Sequence, residues 1–418
     1  MTLDQKKNYL TILIGLIGGI KFRFIGTFYA SEILIYLILI GIGFTYIRQN
    51  KYAMHLFLFA MLWLLSAFIT DLITDNDTIN SLKGAFNIIF FAAQFPAVYW
   101  LLYDKPERFL YYIIAVGIVS MPNFYLFQPQ LNDSAFGLMG ENIWKYYAMV
   151  PTAVATISWL YYKGKIGPSI ASILMVGFGI FMLFHNSRNV LLTMAMAAVL
   201  LSQMGKLKRY PLNSAIPIFK HRIVRIFLCL FIGAIAVSII YESLASSGAL
   251  GSYAYEKYIK QNTAENILEG GRAETFMGIE LIRQSPILGH GSFAMDERDQ
   301  FHREYARNHN MVYQPLPYLR KLPAHSHIVG AWMENGIGGG IFWIYVLFLL
   351  WTVFKSGAML TVPKLLPAVI MQFTNIFWSI LFSPFGSRVS VSFFLILLTV
   401  IYSKFLTNTN ADLSTCRK

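Results

Sequence analysis

Two histidines lie where the longest polar stretch of the chain, which begins at Ser246, passes into an apolar run after Leu322. An imidazole titrates near neutral pH, so the ring of His325 or of His327 could take a proton from a hydroxyl group. If a helix begins at Ala324 the two rings point about 200° apart, whereas in an extended chain they share a face. A His-x-His pair can also ligate zinc, but no third ligand has a convincing spacing, so we predict no metal site.

Arg188 is a candidate ligand for an anion between two predicted spans. It follows Asn186 and Ser187, either of which could cap a helix that begins near Asn189. A helix N-terminus beside an arginine is a ready phosphate site. The alternative is an interfacial arginine whose guanidinium reaches lipid headgroups.

Arg272 is a second candidate for the same role. Two glycines precede it and allow close approach of a ligand, and residues 274–284 are predicted to form a helix. Arg272 would then lie at a helix N-terminus, where anions bind well. The alternative is a loop arginine paired with Glu269 or Glu274.

The predicted helix over residues 274–284 is amphipathic. Phe276, Ile279 and Ile282 recur at spacings of three and should form its apolar face. Ser285-Pro286 should end the helix.

Two further charged residues lie at or inside apolar runs. Arg388 opens the last predicted span, where a lipid headgroup contact is slightly favoured over a substrate contact. Glu334 lies inside an apolar run and is therefore either functional or paired with a buried arginine such as Arg188.

Asp296 and Asp299 are the carboxylates that most resemble the metal-binding pair of a nucleotide-sugar transferase. The topology below places them outside, whereas nucleotide sugars are cytoplasmic, so we disfavour that function. No second carboxylate pair suits a glycoside hydrolase.

The composition is that of a polytopic membrane protein. The chain has 418 residues, of which 56% are hydrophobic and 13% charged, and its mean hydropathy is +0.53. Soluble proteins carry about 25% charged residues. The net charge of +13 indicates basic cytoplasmic loops and an anionic lipid substrate rather than nucleic acid. Cys229 and Cys416 suit neither a disulfide nor a metal site.

Apolar runs of spanning length predict an all-α membrane protein with about twelve transmembrane helices and one large periplasmic loop. The predicted spans are 8–24, 29–46, 52–73, 84–103, 109–127, 144–162, 167–185, 189–204, 223–241, 325–353, 365–383 and 387–405. The first is weak; because no cleavage site follows its leading lysines, we interpret it as a retained anchor.

The lysine and arginine bias of the loops places the N-terminus in the cytoplasm. The most basic loop, residues 206–225, then faces the same side, and the acidic connections 71–77 and 133–141 face the other. The chain divides into N-terminal helices (1–241), a periplasmic loop (242–324) and C-terminal helices (325–418).

The spacing around His325 resembles a family signature. His325-Ser326, nine residues, Gly336, two residues and Gly339 match all four positions of the pattern of the O-antigen ligase and O-antigen polymerase superfamily. Three shorter elements in the motif region, residues 165–350, are similar to other family elements: Ser187-Arg188, Gly271-Arg272 and Ser285-Pro-Ile-Leu-Gly-His-Gly291.

The resemblance implies a glycosyltransferase with an undecaprenyl-diphosphate-linked donor and no metal or nucleotide cofactor. It makes His325 the general base, and the guanidinium groups of Arg188 and Arg272 would grip the leaving diphosphate. Substrate binding is assigned to Arg188, Arg272, Ser326, His327, Glu334 and Arg388.

The expected location is the bacterial inner membrane, with the active site facing the periplasm. The expected partners are the lipid-linked donor, an acceptor glycolipid, the bilayer and a chain-length regulator.

Three functions stay open. A polymerase joins one lipid-linked repeat to another, and a ligase moves the finished chain to lipid A-core. The stretches 21–34 and 80–85 favour the polymerase. A glycolipid transporter is disfavoured because its site would lie at broken helices near the midplane, whereas these polar residues cluster at the outer surface.

Overall fold

A computed structural model of the chain describes residues 1–23, 27–126, 141–185, 187–207, 210, 212–251, 254–256, 258–259, 267–296, 299–309, 320–322, 325–383, 385 and 388–415. Of these described residues, 83% are helical, which confirms the all-α prediction.

The helices of the described residues are α1 (Leu3–Leu16), α2 (Ala30–Ile42), α3 (Lys51–Ile73), α4 (Thr78–Leu102), α5 (Arg108–Leu126), α6 (Glu141–Tyr162), α7 (Pro168–Phe184), α8 (Arg188–Leu207), α9 (Leu212–Ser246), α10 (Ile267–Gln284), α11 (Gln300–Asn308), α12 (His327–Ser356), α13 (Leu366–Phe382) and α14 (Arg388–Thr415). Two short antiparallel hairpins pair β1 (Lys21–Arg23) with β2 (Thr27–Tyr29), and β3 (Met295–Asp296) with β4 (Arg320–Lys321).

Each of the twelve predicted spans overlaps one helix, but only part of the count is confirmed. Seven helices within the described residues are long and apolar enough to cross a membrane: α3, α4, α5, α8, α12, α13 with the turn before it, and α14. Helices α2 and α7 are apolar but shorter. Twelve spans and a periplasmic loop therefore stay predictions.

The C-terminal end of the first predicted span, 8–24, is wrong. Helix α1 stops at Leu16, and the chain from Lys21 instead forms strand β1, which pairs with β2. Gly18 and Gly19 follow the helix and favour this stop, because glycine weakens a helix.

Ion pairs join the helices at one end of the bundle. The Arg108 guanidinium is fully buried, contacts Asp4, and lies 2.6 Å from Asp104 Oδ1. Lys7 Nζ reaches the same oxygen at 3.1 Å. Burial raises the pKa of Asp104, but hydrogen bonds from Arg108 and Lys7 together outweigh it and hold that pKa below its usual value.

The contacts at the two ends agree with the charge-based topology. Lys404 Nζ also reaches this end, 3.3 Å from the Asp104 carbonyl, as expected if these basic residues share a side. At the opposite end, Asn76 Nδ2 donates to the carbonyl of Ser292 at 2.8 Å. The segments 71–77 and 242–324, both predicted outside, therefore meet; which end faces the cytoplasm stays a prediction.

An aromatic cluster forms the centre of the core. Trp63 of α3 stacks on Phe342 of α12 at 5.3 Å, and Phe91 of α4 meets Phe385 edge-on at 5.0 Å. Trp343 is fully buried between them. Inside a bilayer, such packing rather than the hydrophobic effect holds helices together.

Helix α12 is broken at Gly336, which has φ +68° and ψ −159°. Residues 286–291 dock against this break through backbone hydrogen bonds. The N–H groups of His290 and Gly291 donate to the carbonyls of Met333 and Glu334 at 2.8 and 2.9 Å, and Ile337 N–H donates to Ile287 O at 3.0 Å.

Helix α3 satisfies the backbone groups that remain at the break. Ser66 Oγ donates to Asn335 O at 2.6 Å and accepts from Gly338 N–H at 3.3 Å. The Thr70 hydroxyl donates to the carbonyl of Leu288 in the docked segment. The break and the segment that fills it thus form one joint.

We predict that Gly336→Ala lowers the free energy of unfolding by at least about 3 kcal/mol, the sum of backbone strain and overlap. An added Cβ would overlap the carbonyl of Ile287, in a backbone region that other residues rarely adopt. The measurement is the apparent Tm of the purified protein in detergent.

Gly177→Ala in α7 is the control, since its Cβ would meet no atom within 4 Å. It should keep or raise the Tm, because alanine stabilises helices. A Gly336→Ala protein as stable as the wild type would show that the joint does not need glycine.

Candidate functional site

Ser326 sets the geometry of the two histidines. It is the N-cap of α12, with φ −153° and ψ 139°, and its Oγ accepts from Val329 N–H at 3.1 Å. The same hydroxyl donates to the carbonyl of Ile380 at 2.7 Å. The helix therefore begins at His327, and His325 precedes the cap.

The two histidines have different surroundings. His325 Nδ1 contacts the carboxylate of Glu274 on α10, and the two side chains are 56% and 49% exposed. His327 is 4% exposed, and its ring centroid lies 4.7 Å from that of Trp343 and 5.3 Å from that of Phe385. Although Ser326 is extended, the ring of His325 is therefore half-exposed and that of His327 is buried.

The contact between His325 and Glu274 has a chemical consequence. A carboxylate that accepts from Nδ1–H fixes the tautomer in which Nε2 is the basic nitrogen. It also stabilises the imidazolium that forms when Nε2 takes a proton. Sequence reasoning had considered Glu274 only as a partner of Arg272; nothing in the spacing indicated that α10 would bring it to His325.

Ser326 and His327 were predicted to bind substrate, and the structure places both side chains in buried surroundings. Ser326 is 1% exposed and its hydroxyl is engaged in capping. The burial of His327 among aromatic rings is that of a packing residue. Their assignment to substrate binding stays a prediction.

The predicted helix start next to Arg272 is wrong. Helix α10 begins at Ile267, so the position of Arg272 lies in its second turn and not at an N-terminus. Gly270 and Gly271 are accommodated inside the helix. The side chain of Arg272 lies outside the described residues.

The predicted apolar face of this helix is also wrong in part. Phe276 and Ile279 are 40% and 37% exposed, whereas Met277 and Leu281 are buried at 8% and 2%. Ile282 is partly buried against the same cluster as Leu281. The buried face of the helix is therefore displaced by about one residue from the predicted face. A three-residue spacing over so short a helix does not distinguish the two faces.

Arg188 is the first residue of α8, one residue before the predicted start. Its guanidinium carbon lies 4.2 Å from the centroid of the Tyr241 ring, near the end of α9. Asn186, the other proposed cap, lies outside the described residues. Helix α8 packs on α7, α9 and α13, while α10 packs on α12; the convergence of Arg188 with Arg272 stays a prediction.

Arg388 is held in a buried ion pair rather than at a lipid surface. Its Nε and Nη2 lie 2.7 and 2.9 Å from the two carboxylate oxygens of Glu32, which is fully buried. Nη1 donates to Asn87 Oδ1 at 2.6 Å, and Nη2 also donates to Thr27 O at 2.8 Å. The headgroup interpretation of Arg388 is therefore wrong.

Glu334 is half-buried in the segment before the break. Its electrostatic neighbours are Lys321 and Asp71, and the backbone of Phe293 lies in hydrogen-bonding range of its carboxylate. Lys321 thus takes the place of the arginine partner that the sequence suggested.

A polar network that sequence reasoning missed joins α3, α12 and the docked segment. Asn335 Oδ1 accepts from Trp63 Nε1 at 2.9 Å, and its Nδ2 donates to Ser292 Oγ at 3.0 Å. Asp71 Oδ1 accepts from Ser292 N–H at 2.6 Å. All of these residues are buried, so the network fixes the segment that leads into β3.

Asp296, Asp299 and His302 place one potential ligand atom each within 4.8 Å of one another. The carboxylate of Asp296 accepts from the backbone N–H groups of Phe301 and His302, both at 3.0 Å, and from the His302 ring at 2.6 Å. These contacts are those of a cap on α11.

We predict that Arg388→Ala destabilises the protein by about 3–5 kcal/mol, because it leaves the buried Glu32 carboxylate without its partner. Replacing both residues, as Arg388→Met with Glu32→Leu, should recover part of the lost Tm, since no uncompensated charge stays behind. An Arg388→Ala protein with unchanged Tm would show that the pair contributes no stability.

Comparison with known proteins agrees with this organisation. Residues 170–344 match a family model described as O-antigen ligase, and no curated protein matches the chain. The matched segment contains the histidine motif, the Ser-Arg and Gly-Arg elements and the segment docked at Gly336. The match of this segment therefore supports the resemblance to the O-antigen ligase and polymerase superfamily of membrane proteins.

Proposed function

We propose that the protein is a membrane polysaccharide polymerase. It transfers a glycan from an undecaprenyl-diphosphate carrier to a second lipid-linked glycan, at the outer face of a bacterial inner membrane. The observation that carries the proposal is the contact of His325, at the signature position, with Glu274. A half-exposed imidazole oriented by a carboxylate is suited to remove a proton from a sugar hydroxyl.

The proposed reaction is a single displacement at the anomeric carbon of the donor. Nε2 of His325 takes the proton of the acceptor hydroxyl while its oxygen forms the new C–O bond. The bond from the anomeric carbon to the phosphate oxygen breaks with inversion, and the lipid diphosphate leaves with the electron pair. Glu274 stabilises the imidazolium that results.

In this mechanism Arg188 and Arg272 offset the charge that develops on the leaving diphosphate. The role of Arg188 is supported by its position as the first residue of α8, where the helix dipole favours an anion. Arg272 lies two positions before Glu274 on α10, about 200° away around the helix axis.

A ligase is the second candidate, because the matching family model is described as O-antigen ligase. Such an enzyme would use the same base and leaving group and would differ in the acceptor, lipid A-core. The stretch 21–34 favours the polymerase.

The test of the chemistry is glycan transfer by purified variants. We expect His325→Ala to lose about 100-fold or more of the activity, the usual contribution of a general base. Activity of the wild type should fall as the pH drops below neutrality, because an imidazolium cannot accept a proton. Glu274→Gln should keep part of the activity, because the amide oxygen can still accept from Nδ1–H but carries no charge to stabilise the imidazolium.

Two further variants separate chemistry from packing. His327→Ala should lower the Tm more than His325→Ala, because only His327 is buried. His221→Ala, at an exposed position of α9, should change neither activity nor Tm. Near wild-type transfer by His325→Ala would end the assignment of the base.

The choice between polymerase and ligase is tested in a deletion strain by the gel pattern of its lipopolysaccharide. Loss of a polymerase should leave core carrying a single repeat, because ligation continues without chain growth. A bare core with lipid-linked polymer accumulating would instead identify a ligase.

A further inference from the structure

A cleft of about 410 Å³ opens at the same end of the bundle as the two histidines. Three cationic side chains line it: Lys83 of α4, Lys321 of β4 and Arg388 of α14. Phe385 forms part of its wall and also packs on the ring of His327. The cleft therefore lies beside the motif, on elements different from those that carry Arg188 and Arg272.

The charge of the cleft is not neutralised within it. Glu32 offsets Arg388, and Glu334 is an electrostatic neighbour of Lys321. Three cations against two carboxylates leave a surplus of one positive charge. Lys83 is half-buried, where screening by solvent is weaker than at the surface.

Two of the three cationic groups have defined contacts. Thr27, Asn87 and Glu32 fix the Arg388 guanidinium, and those bonds use four of its five N–H groups. Lys321 Nζ lies 4.6 Å from the centroid of the Phe293 ring. An anion in the cleft would meet charges that need little reordering, which favours binding.

We propose that this cleft binds the diphosphate of a second lipid-linked substrate, with Lys83 and Lys321 as the contacting cations and Arg388 as a fixed charge. The inference rests on the proposed function, in which two lipid-linked glycans must be held at once. One diphosphate is assigned to Arg188 and Arg272, and the cleft supplies the second site.

The test measures binding of farnesyl diphosphate to the full-length protein in a non-ionic detergent, by titration calorimetry and by counting bound molecules in native mass spectrometry. We expect two molecules per wild-type chain, displaced by inorganic pyrophosphate. Lys83→Gln with Lys321→Gln should retain one molecule and bind the second at least about tenfold more weakly, because loss of either charge-assisted contact alone should cost about that factor.

The matched control is Lys51→Gln with Lys364→Gln, two exposed lysines at the opposite end of the bundle, which should bind two molecules. Lys83→Arg with Lys321→Arg should restore binding, because the charges are kept. A double glutamine variant that binds like the wild type would overturn the proposal.

Two further arms identify the ligand and separate this inference from the catalytic proposal. Displacement of farnesyl diphosphate by an equal mole fraction of phosphatidylglycerol would make the cleft a headgroup site and overturn its assignment to substrate. His325→Ala should still bind two molecules while losing transfer. If His325→Ala transfers normally while the double glutamine variant loses a site, the proposed base fails and the cleft stands.

Discussion

Backbone polar groups inside a membrane must find partners, and the break in α12 is where this constraint governs the structure. At Gly336 the helical pattern stops, and residues 286–291 supply the partners that the helix no longer provides. Gly289 also has a positive φ, and a Cβ there would lie 2.6 Å from the backbone nitrogen of Gly336. Two sequence elements separated by more than forty residues are thus the two halves of one joint, and their glycines are needed for close approach.

The joint determines where the proposed base lies. Met333, in the segment of α12 before the break, packs in one cluster with Leu281 of α10, and α10 carries Glu274. The joint holds that segment in place and therefore positions His325 and Glu274 relative to each other. The Arg388 side chain also fixes the positions of neighbouring elements, because its hydrogen bonds join α14 to α2, α4 and the first hairpin. The joint, the ion pair and the proposed base therefore lie at the same end of the bundle.

The sequence was sufficient to predict the helical class, the approximate positions of the apolar helices and the family resemblance, because apolar length and motif spacing are local properties. It failed where partners come from distant elements. The spacing around His325 could not show that Glu274 would meet it, and an arginine at a span end gave no sign that Arg388 would be buried with Glu32. The start of α10 was misplaced because Gly270 and Gly271 were interpreted as loop residues, although glycine in a helix costs only about 1 kcal/mol each and packing can offset it.

A broken helix is also the feature expected of a transporter site, so the chemistry of the break bears on function. In a transporter the unwound backbone coordinates ions or substrate. Here Met333, Glu334 and Asn335 give their carbonyls to His290 N–H, Gly291 N–H and the Ser66 hydroxyl. Ile337 and Gly338 give their N–H groups to Ile287 O and Ser66 Oγ. A break whose polar groups are engaged in this way is a means of positioning, and the groups left to meet a substrate are the side chains at the end of the bundle.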